Sequence, residues 1–201
     1  EEHLLHQAIQ RHIKTVGIPD IVIANAGVST GTLNSEKEDL VTFKRVMDIN
    51  LYGVMHTFLP FMKPFKKRKS GQLVGIASVA GIRGLPGSGA YSASKAALMN
   101  YLESLRIEML PFNIQVTTIA PGYIKTPMTH SNPYAMPFIL EVDEAVKRFM
   151  KAIDRKRKFV IIPWQMNILG TLMRLLPASI WDFLAKRGPR KLRAMINETF
   201  S

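Results

Sequence analysis

The sequence predicts an α/β fold built on a doubly wound parallel sheet. Short apolar runs alternate with longer stretches in which apolar residues recur with helical spacing. Strands that are apolar along their whole length are typical of parallel sheets covered by helices on both faces. Ligands of such sheets bind beyond the carboxyl ends of the strands, so polar residues that follow a strand are the first candidates for a site.

Each element of this fold follows from a local pattern. Apolar residues with helical spacing run from Leu4 to Val16, and Gly17 ends that helix. Longer helical patterns cover 38–62, 88–109 and 141–153. The predicted strands are Ile21–Ala24, 72–77, 114–119 and Phe159–Ile162.

Composition narrows the chemistry that the chain can perform. The 201 residues suffice for one sizeable core, and the absence of cysteine excludes disulfides and thiolate metal sites, so no metal site is predicted. Much of the net charge of +12 lies in basic clusters at 66–69, 155–158 and 186–193. Such clusters attract phosphates, nucleic acid or anionic lipid, but the simpler interpretation of each is a solvated loop or helix end. No aromatic residues alternate with the cations, so no specific nucleic-acid partner is expected.

The candidate chemistry begins with Tyr91 and Lys95, which are four residues apart on a predicted helix and therefore share one face. A lysine ammonium near a phenol favours the ionised phenol, so we expect Lys95 to lower the pKa of Tyr91 and make it a general acid or base. Ser78 follows a predicted strand, where its hydroxyl is able to hold a substrate carbonyl. Taken alone, the tyrosine–lysine pair is equally typical of an ordinary helix face with a solvated lysine.

Other candidates follow the first and third strands. Asn25-Ala26-Gly27 comes directly after Ile21–Ala24, and Pro121-Gly122 closes the third strand, with Ile124 and Thr126 just beyond. Each has a plainer alternative, because glycine and Pro-Gly are common turn formers and a serine at a strand end often hydrogen-bonds locally. Asn50, inside a long helix, is also explained as a tolerated polar residue.

Together these segments resemble the short-chain dehydrogenase/reductase family, from residue 1 to about residue 162. The order and spacing of the matches agree with that family: Asn25-Ala26-Gly27, Asp48-Ile49-Asn50, Ser78, Tyr91 with Lys95, and 121–126. The resemblance implies a Rossmann-like sheet and hydride transfer between a nicotinamide cofactor and a carbonyl or alcohol, and it rests on five motifs in the same order rather than on any one of them. 

The resemblance also assigns roles to the catalytic candidates. Tyr91 is implied to be the catalytic acid or base, and Ser78 to orient the substrate carbonyl. Lys95 is implied to lower the phenol pKa and to hydrogen-bond the nicotinamide ribose. The backbone carbonyl of Asn50 is implied to hold a water that links Lys95 to solvent.

Cofactor contacts are implied for Asn25, Ala26 and Gly27 on the adenosine side. Pro121 and Gly122 are implied to approach the nicotinamide, and the Ile124 amide and Thr126 hydroxyl are implied to bind its carboxamide. Tyr91 and Lys95 are implied to contact the cofactor as well. The cofactor is expected to be NADP or NAD, with NADP placed first as a guess. The glycine-rich phosphate turn of Rossmann proteins has no counterpart here, so we expect the sequence to lack the N-terminal half of the sheet. The strand Ile21–Ala24 would then present an unpaired apolar edge.

After Ile162 the resemblance fades, and residues 163–201 are predicted to form a separate basic tail with two short amphipathic helices. Three interpretations remain open: a lid over an apolar pocket, a contact with a membrane surface, and packing on the core or on a partner subunit. The tail favours a hydrophobic ketone or alcohol, and the resemblance implies a homo-oligomer. The cytoplasm is the expected location, with the tail as a point of membrane association. A non-catalytic membrane-associated or scaffold protein on the same fold is the alternative.

Overall fold

The computed structural model describes residues 2–130, 132–188 and 190–193. Its centre is a parallel sheet with the strand order β1-β2-β3-β4. These strands are β1 Ile21–Ala24, β2 Gln72–Ile76, β3 Gln115–Pro121 and β4 Phe159–Ile162. Because the strands are parallel, their carboxyl ends lie along one edge, as the sequence predicted.

Helices cover the sheet, with bounds within about two residues of prediction except between β1 and β2. They are α1 Glu2–Thr15, α2 Asp39–Met47, α3 Gly53–Arg68, α4 Gly89–Met109, α5 Pro127–His130, α6 Val142–Asp154, α7 Trp164–Leu175 and α8 Ala178–Ala185. The single helix predicted over 38–62 is wrong in two ways. A π-helical turn, Asp48–Tyr52, separates α2 from α3, and α3 continues to Arg68. The buried Phe58, Phe61 and Phe65 hold α3 to the core in spite of its internal prolines.

The core lies on both faces of the sheet. Leu73 of β2 packs on one face with Phe58, Phe65 and Leu102 from the helices α3 and α4. The next residue, Val74, belongs to a second cluster on the opposite face, where α6 contributes Ile153. This alternation is the reason that both residues of a continuous apolar strand are buried, and it confirms the doubly wound prediction.

The outer strand β1 pairs only with β2 among the residues that the structure describes. Val22 and Ala24 are buried, whereas Ile21 and Ile23 are 41% and 47% exposed. The apolar edge expected from the sequence is therefore present.

The chain beyond β4 returns to the edge of the sheet where the carboxyl ends of the strands lie. After α7 and α8, residues 190–193, which we call the C-terminal strap, run beside the loop that follows β1. The Gly31 amide donates to the Leu192 carbonyl at 3.1 Å, and the Arg193 guanidinium contacts the Asp39 carboxylate at 2.9 Å. Arg193 therefore takes part in an ion pair at the surface, with 46% of its side chain exposed. Within the described ranges, no helix combines the length and apolar character needed to cross a bilayer.

Candidate active site

Ser78 and Tyr91 meet at the carboxyl ends of the strands. Ser78 follows β2, and its hydroxyl accepts a hydrogen bond from the Ala80 amide at 3.2 Å. Tyr91 lies in the first turn of α4, whose start is held by the Thr32 hydroxyl, an acceptor for the Ala90 amide at 3.2 Å. Both side chains line one cavity, and Ser78 is close enough to act on the pKa of the Tyr91 hydroxyl. The structure therefore brings together the two hydroxyls that the sequence placed at one sheet edge.

Lys95 lies one helical turn beyond Tyr91 and is buried, with 4% of its surface exposed. Its ammonium donates to the carbonyl of Ile76, the last residue of β2, at 2.8 Å, and lies 5.9 Å from the centre of the Tyr91 ring. Burial lowers the pKa of Lys95 to about 8. The ammonium is thus anchored to the sheet beneath the phenol, so the alternative of a solvated lysine is excluded.

The environment of Tyr91 acts against the expected effect of Lys95. Burial raises the pKa of the Tyr91 hydroxyl, and the hydrogen bond with Ser78 opposes that rise only in part. The prediction that Lys95 lowers the Tyr91 pKa toward neutrality is therefore wrong for this structure. The physical reason is desolvation: the phenolate loses water around it, while the nearby ammonium is engaged by the Ile76 carbonyl.

Asn50 connects the loop after β1 to the helix α4. It lies in the π-helical turn and is fully buried. Its side-chain oxygen accepts from the Val28 amide at 2.8 Å, and its nitrogen donates to the Val28 carbonyl at 2.9 Å and to the Ser94 hydroxyl at 3.0 Å. Ser94 in turn donates to the Tyr91 carbonyl at 2.8 Å. The side chain of Asn50 therefore has a positioning role in addition to the one implied for its backbone. Ser94 takes part in the same network, although no role for it was predicted from the sequence.

Gly27 lies where a side chain would collide with this network. A Cβ atom there would be 3.2 Å from the Asn50 side-chain oxygen and 3.4 Å from the Lys95 ammonium. The close approach, rather than a turn, explains this glycine. Asn25 and Ala26 line a different space, a cleft of about 570 Å³ beside the edge of β1. The predicted adenosine-side residues thus occupy a cleft apart from the cavity of Tyr91, with Gly27 between Asn50 and Lys95.

The segment after β3 forms another wall. Pro121 is buried at the end of β3, and Gly122 lines the cavity of Tyr91. Ile124 pairs with Leu140, and no acceptor for the Ile124 amide is found among the described residues. The Thr126 hydroxyl lies 3.4 Å from the hydroxyl of Thr129, which also accepts from the Thr126 amide at 3.0 Å. The cofactor contacts expected of 121–126 stay predictions.

The cavity of Tyr91, which we call the catalytic cavity, has a volume of about 200 Å³. Its walls are mainly apolar and aromatic, and α7 supplies one of them. The lining includes Leu85, Tyr123, Met128, Tyr134, Met166, Leu169 and Met173. This inward face of α7 agrees with the lid interpretation of the tail.

A group of potential metal ligands lies between α1 and α3, outside the catalytic cavity. The ligand atoms of Glu2, His6 and His56 lie within 4.8 Å of one another. The Glu2 carboxylate is 3.2 Å from His56 Nδ1, and the two histidine rings pack edge to face at 5.8 Å. These contacts hold the two helices together. That the catalytic site uses no metal stays a prediction.

Comparison with known proteins identifies the family. Residues 1–136 match the family model described as short chain dehydrogenase. The chain belongs to this family. The resemblance predicted from the sequence is thereby confirmed.

The relatives of this chain are described as oxidoreductases or reductases of different kinds. An uncharacterized oxidoreductase of Myxococcus xanthus is 39% identical over 168 residues, which are 84% of this chain and 66% of the relative. A 3-ketodihydrosphingosine reductase of Bacteroides thetaiotaomicron is 34% identical over 188 residues, 92% of this chain and 65% of the relative. The chain thus spans just under two thirds of the length of these curated relatives.

Solved structures support the same fold. The structure of 4-hydroxyisoleucine dehydrogenase complexed with NADH superposes with a TM-score of 0.69 at 27% identity. The match covers 81% of this chain and 75% of that one.

The sequence did not predict the residues from the C-terminal part of the chain that line the catalytic cavity. Met166, Leu169 and Met173 come from α7, and Lys191 of the strap reaches the same cavity. The helical spacing of apolar residues in the tail was the available signal for α7. No local pattern distinguishes Lys191 from the other cations of its cluster, because its position depends on the path of the strap.

Proposed function

We propose that the protein is an oxidoreductase that transfers a hydride between a nicotinamide cofactor and a carbonyl or alcohol, with Tyr91 as the acid or base. The observation that carries this proposal is the cavity at the carboxyl edge of the sheet that Ser78 and Tyr91 line together, with the buried Lys95 ammonium bonded to the end of β2. Membership of the short-chain dehydrogenase family supports it.

In the proposed reduction, a carbonyl oxygen accepts hydrogen bonds from Ser78 and Tyr91. The nicotinamide cofactor, when bound, supplies the hydride that reaches the carbonyl carbon. Tyr91 gives its proton to the oxygen as negative charge develops there, and the product is an alcohol. In oxidation the Tyr91 oxygen takes that proton back.

The electrostatics suit this assignment. A raised pKa keeps Tyr91 protonated at neutral pH, as a proton donor must be. A Lys95 pKa of about 8 leaves its ammonium mostly charged at pH 7, where it stabilises the phenolate that remains after proton transfer. Near neutral pH the phenol is therefore in the form that donates a proton.

Several residues fit a nicotinamide cofactor. Gly27 lets the backbone lie close to Lys95, and the Ile124 amide, which has no acceptor among the described residues, is a donor for the carboxamide. Asn25 and Ala26 line the cleft in which we place the adenosine side. We propose NADPH or NADH without choosing between them; 4-hydroxyisoleucine dehydrogenase is described as a complex with NADH.

The substrate we propose is a hydrophobic carbonyl compound or alcohol. The support is the apolar lining that Leu85, Met166 and Leu169 give to the catalytic cavity. A relative described as a 3-ketodihydrosphingosine reductase makes a lipid-like ketone a reasonable first class to screen.

The test replaces Tyr91 in the full-length protein. Loss of the hydroxyl in Tyr91→Phe should lower kcat/KM by about 10²- to 10⁴-fold, the usual contribution of a general acid. Tyr101→Phe is the matched control, because Tyr101 is a partly buried tyrosine of the same helix that does not line the catalytic cavity. Cofactor oxidation at 340 nm, followed with a panel of ketones, measures the effect. Equal activity in Tyr91→Phe and Tyr101→Phe would overturn the assignment.

A non-catalytic scaffold on this fold is the competing hypothesis. It is motivated by the basic and amphipathic tail. Fluorescence titration of full-length protein with NADPH and NADH separates the two hypotheses. Failure to bind either cofactor would favour the scaffold.

We also propose a peripheral contact with anionic membranes through the tail. The outer face of α7, formed by Trp164, Ile168, Leu172 and Leu175, is 52–74% exposed. Phe183 and Leu184 of α8 are also exposed, and Arg174, Lys186 and Arg187 supply positive charge nearby. Exposed apolar residues flanked by cations are typical of helices that lie at a lipid headgroup layer. Co-sedimentation with vesicles containing phosphatidylserine, but not with pure phosphatidylcholine, is the expected result.

Self-association is proposed for another surface. Leu59 of α3 and Ile107 of α4 are 53% and 56% exposed. Light scattering coupled to size exclusion should give the mass of a dimer or tetramer. A monomeric mass at micromolar concentration would contradict this expectation.

A further inference from the structure

Lys191 of the strap reaches the catalytic cavity. It lines that cavity together with Ser78, Tyr91 and the apolar side chains of α7. Its ammonium donates to the Ser29 hydroxyl at 2.9 Å. A lysine from the far end of the chain therefore lies in the space where the proposed reaction occurs.

The charge of Lys191 is unmatched within the cavity. Of the described residues that line the cavity, Lys191 is the only one with a charged side chain. No carboxylate lies within 4.0 Å of its ammonium in the described part of the chain. Ser29 is its one hydrogen-bond partner there, although an ammonium has three donors. Burial lowers the pKa of Lys191, which reflects the cost of this uncompensated charge.

The strap holds this lysine in position from the adjacent residues. The Leu192 carbonyl accepts from the Gly31 amide at 3.1 Å. Arg193 contacts Asp39 at 2.9 Å, and the other oxygen of that carboxylate accepts from the Leu33 amide at 2.6 Å. The Arg193 hydrogen bond is the main reason that the pKa of Asp39 is lowered. Leu192 is bonded to the loop after β1, and Arg193 is bonded to the start of α2. Lys191 is therefore preorganised rather than free to move into solvent.

We propose that Lys191 binds an anionic group, a carboxylate or phosphate, of an otherwise apolar carbonyl substrate. This inference rests on the proposed function and narrows its substrate class. The anion would complete the hydrogen bonds of the ammonium, and the apolar residues of α7 would contact the rest of the molecule.

The substrate is a better source of the anion than the cofactor. Lys191 shares its cavity with Ser78 and Tyr91, the two residues proposed to hold the substrate carbonyl. The residues proposed for the adenosine side, Asn25 and Ala26, line a different cleft. The alternative is that Lys191 binds an anionic group of the cofactor, and the experiment must distinguish this from an anionic group of the substrate.

The experiment compares keto acids with their methyl esters in the full-length protein. Probes are 4-oxo and 5-oxo acids of increasing chain length, such as 5-oxo-5-phenylpentanoate, together with an aryl ketone phosphate. In Lys191→Met, KM for the preferred acid should rise about ten- to a hundredfold, the usual loss for a charged hydrogen bond, while the ester is unaffected. Lys191→Arg should restore much of the affinity. Lys151→Met is the control, because Lys151 is an exposed lysine of α6 that does not line this cavity.

The outcomes distinguish this inference from the function on which it rests. Tyr91-dependent turnover with no preference for acids over esters would overturn the anion site and leave the oxidoreductase standing. A rise in cofactor KM, with substrate KM unchanged, would also overturn it by assigning the anion to the cofactor. Calorimetric binding of the carboxylates does not require turnover, so it tests Lys191 even if the proposed reaction fails. Equal binding by the protein and Lys191→Met would then contradict the inference.

Discussion

Ser78, Tyr91 and Lys95 occupy the end of β2 and the start of α4, whereas the opposite wall of their cavity comes from α7 and the C-terminal strap. The first region is held by buried contacts: Asn50 ties it to the loop after β1, and Lys95 is bonded to the sheet. The second is held by a few contacts at its ends, and the outer face of α7 is exposed. We expect the proposed chemistry to depend on the buried region at β2 and α4. We expect the choice of substrate and the proposed membrane contact to depend on α7 and the C-terminal strap.

The largest effect is expected at Asn50. Asn50→Ala leaves the Val28 amide and carbonyl without their side-chain partner, so the free energy of unfolding should fall by about 2–5 kcal/mol. We also expect kcat/KM to fall by about tenfold or more, because Ser94 and Tyr91 lose their link to the loop after β1. Urea denaturation and initial rates measure the two effects.

Asn100→Ala is the control for that variant, because Asn100 lies on the exposed side of α4 and bonds only the Ala96 carbonyl of its own helix at 3.2 Å. If the two variants behave alike, Asn50 is not the connection that the structure indicates. Asn50→Asp, which keeps an acceptor for the Val28 amide, should lie between them.

A second prediction uses the buried charge of Lys95. The unfolded lysine holds its proton up to about pH 10.5, whereas the folded one releases it near a pKa of about 8. Between these values the unfolded state binds more protons, so stability contributed by this group rises with pH. Relative to Lys95→Met, the protein should gain up to about 3 kcal/mol across that window.

Denaturation of both proteins between pH 7 and pH 10 measures this gain. The comparison cancels Tyr91, whose raised pKa contributes with the opposite sign at higher pH because the folded phenol then keeps a proton that the unfolded one loses. A constant difference in stability across this range would mean that the Lys95 ammonium is not desolvated.

The smallest effect on catalysis is expected on the outer face of α7. Leu172→Ser with Leu175→Ser should reduce partition onto phosphatidylserine vesicles by about tenfold or more, since two exposed leucines would no longer be buried in lipid. Turnover of a water-soluble substrate should be unchanged. Val146→Ser on α6, which is 48% exposed, is the control. Equal vesicle binding by all three proteins would assign the α7 face to another role.

The sequence was sufficient for the order of the elements and for the candidate catalytic residues, because both are local patterns. Apolar runs and helical spacing predicted four strands and most helix bounds, and four-residue spacing placed Tyr91 and Lys95 on one face. The break between α2 and α3 was not predicted, since the π-helical turn accompanies contacts of Asn50 with residues 22 and 44 positions away.

Tertiary structure alone decided the electrostatics and the enclosure of the site. Whether Tyr91 gains or loses acidity depends on how much water surrounds it, and the packed cavity raised its pKa where the spacing to Lys95 predicted a decrease. The position of Lys191 beside Ser29, 162 positions away in the chain, likewise depends on the path of α7, α8 and the strap. Short-range pattern determines which groups are available, whereas burial and long-range contact determine their charge and their neighbours.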